Sequence, residues 1–164
     1  MQRGQVLTIA AAGLGLLVMG ASGAAGKTAY LAGPVLGYLE RVVDGDTIHA
    51  RALIWLHQEV RVTVRLKGVD TPELHGRCAR EIAMARRARR FTANWLAGGP
   101  IRLTRIKQGK YGGRVIAKIA NAKGQDLGRA LLNEGLARPY GGAKRRSWCL
   151  DQDRGQPALS PDHS

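Results

Sequence analysis

An α+β domain rich in strands is the fold class this sequence predicts, and three observations predict it. β-branched residues alternate with polar ones through Ile48–Leu56 and Val60–Val69, on either side of a short break. The period becomes helical from Ala79 to Leu96, where Gly98-Gly99-Pro100 stops it. Alternation then returns at Ile101–Ile106 and Arg114–Ala120, ahead of a second, shorter helical stretch.

Taken in order, Lys27–Gly37 reads as a Gly/Ala/Pro-containing linker, and strands begin at Tyr38. Leu39, Val42 and Val43 run into Asp44-Gly45, a tight-turn dipeptide. Val60, Val62, Val64 and Leu66 share one face of the next hairpin, with Arg61, Thr63, Arg65 and Lys67 on the other, which predicts a core face and a cationic face. Pro72 cannot continue a central strand, so the chain turns over Val69–Leu74 and leaves Asp70 and Glu73 at a strand end. In the first helix Met84, Ala88, Phe91 and Trp95 form the apolar stripe, widened by Ala85 and Leu96; Arg80, Arg86, Arg87 and Arg90 occupy the opposite, solvated face. Gln108–Gly113 is a glycine-rich hairpin tip, and Asp126–Glu134 is a helix with Asp126 as N-cap, Leu127, Ala130 and Leu131 inward, and Gly135 at its end.

The chain has 164 residues, which suits one domain with a proper core. A hydrophobic fraction of 45% excludes a disordered chain despite only 5% aromatics. The domain is expected over 38–149, preceded by a leader (1–25) and the linker (26–37), and followed by a polar tail (150–164) with Pro157 and Pro161 that is expected to be disordered. Residues 6–25 carry no charge, and two readings of them stand: a signal peptide cut near Ala21–Ala25, giving a periplasmic or secreted protein, or a membrane anchor about 30 Å long. Cys78 and Cys149 both lie beyond it, as one disulfide if the protein is exported or as two buried thiols. Ala21-Ser22-Gly23-Ala24-Ala25-Gly26-Lys27-Thr28 fits a loose phosphate-loop pattern but lacks the preceding buried strand such a loop needs.

The chemistry concentrates in two motifs, Asp44-Gly45-Asp46-Thr47 and Arg65-Leu66-Lys67-Gly68-Val69-Asp70-Thr71-Pro72-Glu73. The net charge is +14, yet four of only twelve acids fall within them. A basic chain attracts nucleic acid or anionic lipid, whereas an acidic cluster repels a polyanion unless a divalent cation lies between them. Hard cations such as calcium favour carboxylate oxygens, a role that suits Asp46 and Asp70. Glu73 is the natural base for a water, and Arg65 and Arg114 can bracket a phosphate with paired donors. His49, His57, His75 and His163 show no zinc spacing.

In sequence order these motifs, followed by Lys110-Tyr111-Gly112-Gly113-Arg114 and Gly135-Leu136-Ala137-Arg138-Pro139-Tyr140, make residues 38–149 resemble a thermonuclease domain of the staphylococcal nuclease family. The resemblance implies an OB-type five-stranded barrel with two or three packed helices. It also implies calcium-dependent cleavage of DNA and RNA that leaves 3′-phosphate ends; a monomer acting as a thermonuclease-like endonuclease is expected, with endonucleolytic and exonucleolytic action both open. By the same resemblance Asp46, Asp70 and the Thr71 carbonyl hold the calcium, Glu73 is the general base, and Arg65 and Arg114 bind phosphate. Lys110, Tyr111 and Tyr140 fall near nucleotide-contacting positions. Two departures stand out: the Asp46–Arg65 segment is longer than in the staphylococcal enzyme, and the tip has a glycine where an acid often precedes the lysine, plus one extra glycine before Arg114. The alternative from another class is a non-catalytic OB-type module that binds nucleic acid through a basic groove.

Overall fold

The alternating segments do become strands, and they close on themselves. The computed structural model describes residues 30–110 and 112–149; the leader, Tyr111 and the tail lie outside them. In chain order the elements are β1 (Tyr30–Leu31), β2 (Val35–Asp44), β3 (Thr47–Trp55), β4 (Gln58–Leu66), β5 (Val69–Asp70), α1 (Ala79–Leu96), β6 (Ile101–Gln108), β7 (Arg114–Ala120), α2 (Leu127–Asn133) and β8 (Arg138–Pro139). The main sheet has the order β1-β6-β2-β3-β4-β7, and an additional β6–β7 pairing closes β2, β3, β4, β7 and β6 into a five-stranded barrel. With its two helices this is the OB-type architecture the resemblance implies.

β2, β3 and β4 form an antiparallel meander, in which Asp44 pairs with Thr47 and Thr47 with Arg65. β4 pairs in parallel with β7, Arg65 opposite Ile116, a geometry that needs the long crossover supplied by α1 and β6. Ile48, Val64, Ile101, Leu103, Ile119, Leu127 and Leu131 fill the interior. Burying each such side chain contributes about 1.5–3 kcal/mol. α1 packs on β2 and α2, and α2 on β7. The short β5–β8 ribbon, Asp70 opposite Arg138, ties the end of the domain to the strand end that carries Asp70.

Two expectations change. The strand expected from Tyr38 begins at Val35, and Tyr30–Leu31, read as linker, pairs with β6. The inward face of α1 is Glu81, Ala85, Ala88, Thr92 and Leu96, while Met84, Phe91 and Trp95 are half-buried along its flank. Apolar periodicity finds Ala85, Ala88 and Leu96, with Phe91 and Trp95 packed against the core beside them, but it misses two polar residues that point inward, where hydrogen bonds satisfy them. Thr92 Oγ1 donates to Gly45 O at 2.7 Å, and Glu81 accepts from Arg77 N at 3.1 Å. The second helix matches its expectation, with Asp126 Oδ1 accepting from Arg129 N at 2.8 Å. Among the described residues no helix is long and apolar enough to cross a membrane.

Candidate active site

The turn between β2 and β3 is fixed by α1. Gly45 is needed there because a Cβ would sit 2.7 Å from Ala88 Cβ and 3.0 Å from Thr71 Cγ2. Thr92 holds the Gly45 carbonyl, and Arg89 Nε donates to Val42 O at 3.2 Å. This packing leaves Asp46 only 2% exposed, with Asp70 at 6%.

Arg65 joins the two carboxylates. Its Nη1 donates to Asp46 Oδ1 at 2.8 Å and its Nη2 to Asp70 Oδ1 at 3.4 Å. Arg65 alternates onto the face expected to be cationic, yet its side chain is only 16% exposed, because the two acids draw it into the site. Asp46 also accepts from Thr47 Oγ1 at 3.0 Å and from Thr71 N at 3.0 Å. Arg114 reaches the same cluster through its Nη2, 3.4 Å from Thr47 Oγ1, and its Nε is buried without a hydrogen-bond partner. Glu73 is half exposed at the edge of the cluster and pairs with Arg145 Nη1, whose Nε is 2.6 Å from Asp70 Oδ1. The five residues singled out for metal and phosphate chemistry therefore share one end of the barrel.

The donor set fits a hard cation. Two buried carboxylates face one arginine, and Thr71 Oγ1 is a buried oxygen with no hydrogen-bond partner. Asp44 adds a third acid to this end: burial and then the neighbouring Asp46 raise its pKa above the usual carboxylate value, against the pull of Arg145, Arg65 and His75. A separate cluster of Cys78, Glu81 and Cys149 is no cation site, because the two sulfurs are bonded to each other.

The remaining sequence candidates are placed less centrally. Lys110 is exposed in the β6–β7 tip, and Tyr111 lies outside the described residues. Tyr140 donates its backbone N–H to Gly68 O at 2.9 Å and its hydroxyl to Ala143 O at 2.7 Å, so its oxygen is engaged within its own turn. Sequence reasoning did not find Arg145, or Trp148, whose Nε1 lies 3.4 Å from Asp70 Oδ2. The signal for both was the run Lys144-Arg145-Arg146-Ser147-Trp148 directly ahead of Cys149, a cysteine whose partner Cys78 closely follows Glu73.

A family model described as staphylococcal nuclease homologue matches residues 63–153, more than half of the chain. A search of curated proteins finds no match. The matched span holds Arg65, Asp70, Glu73, Arg114 and Arg145, and the barrel geometry adds Asp46 to them from outside it. On the sequence match together with the closed barrel and its two helices, this chain belongs to the staphylococcal nuclease homologue family.

Proposed function

We propose that the protein is a calcium-dependent nuclease that hydrolyses phosphodiester bonds in DNA and RNA and leaves 3′-phosphate ends. The observation that carries this reading is the bridging of Asp46 and Asp70 by one guanidinium, with Arg114 and Glu73 on the same cluster. Asp46, Asp70 and the Thr71 carbonyl would hold calcium, which when bound polarises the phosphate and offsets the negative charge of the carboxylates. Arg65 and Arg114 present donors to the charge that builds on phosphate oxygens, and a phosphate oxygen would satisfy the unpartnered Arg114 Nε. Glu73 stands at the exposed edge, where water has access, and accepts the proton of the attacking water. Lys110 and the rings of Tyr111 and Tyr140 are proposed to contact the nucleotide, stacking rather than hydrogen bonding in the case of Tyr140.

Export is part of the proposal, supported by the Cys78–Cys149 disulfide and by the uncharged 6–25 segment. The test is incubation of purified protein with single- and double-stranded substrates, with calcium or chelator, beside Glu73→Gln. Calcium-dependent cleavage that falls by a factor of about 10²–10⁴ in the variant is expected, the range of general-base contributions. Equal rates for the two proteins would remove Glu73 from the mechanism. Tight binding with no cleavage under any condition would favour the non-catalytic module.

A further inference from the structure

The chain beyond β8 stays on the barrel. Tyr140 bends it back through its two hydrogen bonds, and Arg138 then holds the returning segment, its guanidinium 3.8 Å from the Trp148 ring centroid and its Nη1 donating to Ser147 O at 3.0 Å. Trp148 is buried, and Cys149 pins the end of this strap to Cys78 at the start of α1. The strap spans a cavity of about 880 Å³ whose lining includes Glu73, His75 and Arg77 as well as Lys144, Arg145 and Arg146.

Charge distinguishes this concavity from the cationic faces elsewhere. Arg145 is neutralised by Asp70 and Glu73, but Lys144, Arg146 and Arg77 make no ion pair among the described residues. Cations held around one cavity repel one another unless an anion enters it. Those on α1 spread over a convex helix face, whereas these converge beside Glu73 on a segment that is tethered before any ligand arrives. Preorganisation of that kind lowers the ordering cost of binding.

We propose that the strap is an anion subsite that takes phosphates of a polynucleotide strand flanking the scissile one, with Lys144 and Arg146 as its principal contacts. The proposal deepens the nuclease reading and rests on it for the position of the scissile phosphate. It predicts that the subsite acts on strands long enough to place phosphates on both sides of Glu73, and that shorter ligands do not use it.

The test is binding in the presence of chelator, read by fluorescence anisotropy with labelled decathymidylate and dithymidylate across a salt series. For Lys144→Ala/Arg146→Ala, the slope of log K against log salt for decathymidylate is expected to flatten by about 1.4, at about 0.7 per lost phosphate contact, with dithymidylate unchanged. Cys78→Ser/Cys149→Ser, checked for native circular dichroism, is expected to flatten it as well. An unchanged slope in the charge variant, or equal losses on both ligands, overturns the subsite. So does binding to phosphatidylserine vesicles that depends on the strap while oligonucleotide binding does not. Calcium-dependent cleavage measured in parallel separates the two claims. Cleavage with an unchanged slope keeps the nuclease and removes the subsite, and a strap-dependent slope without cleavage does the reverse.

Discussion

Thr92→Val isolates the contact by which α1 holds the Asp44–Asp46 turn. The replacement keeps the volume and removes only the hydroxyl that donates to Gly45 O at 2.7 Å. Thr92 is 0% exposed and Gly45 is buried, so water cannot take the place of the lost donor. Leaving a buried carbonyl unsatisfied costs about 1–3 kcal/mol. For a domain of this size that corresponds to a fall in Tm of roughly 4–15 °C, at about 4–5 °C per kcal/mol. Thr92→Ser is the control: it keeps the donor, loses one methyl worth about 0.8 kcal/mol, and is expected to retain cleavage. Calorimetric melting of the three proteins gives the stabilities, and the proposed cleavage activity, measured in parallel, reports whether Asp46 has shifted. If the valine variant melts with the wild type, or serine proves the more damaging change, the hydrogen bond is not what anchors the turn.

Three further outcomes are expected. Reducing Cys78–Cys149, which spans a sequence separation of 71, should lower stability by about 4 kcal/mol, seen as a fall in Tm with dithiothreitol that the double serine variant does not show. Arg65→Lys keeps a positive charge but loses the fork that reaches both Asp46 and Asp70, so Tm should fall, and kcat/KM should drop by a factor of about 10²–10³ at temperatures where the variant is still folded. Because the folded protein raises the pKa of Asp44, its ionisation opposes folding: the penalty is absent below the unfolded value of 3.8 and complete above the folded one. Asp44→Asn should therefore raise Tm at neutral pH, with a gain that vanishes in melts below about pH 3.8; a gain that persists unchanged in acid would contradict this assignment.

What the sequence made legible was local. Alternation located β3, β4, β6 and β7, because each strand's two faces are set by residues one step apart, and the helical period bounded α1 at Ala79 and Leu96. The acids of the site were legible because four of them fall within two short motifs of a basic chain. What escaped depends on distant partners. Tyr30–Leu31 becomes a strand only because β6 offers it an edge, which no Gly- and Pro-containing segment announces by itself. Glu81 and Thr92 belong to the inward face of α1 through hydrogen bonds to turns elsewhere in the chain, which an apolar count excludes. Arg145 enters the site through a fold-back and a disulfide, and the spacing of two cysteines does not reveal where they meet.

The parallel seam between β4 and β7 has a consequence for biosynthesis. As the chain emerges from the ribosome, the β2–β3–β4 meander has its neighbours in hand early, but the outer rim of β4 from Thr63 to Leu66 waits for Arg114–Ala117. Until then that rim offers unpaired amides to any other nascent strand, the usual route to intermolecular pairing. A polypeptide interrupted between Leu96 and Arg114 would carry the carboxylates of the candidate site on an open ribbon, and it should be found in aggregates rather than as a free fragment.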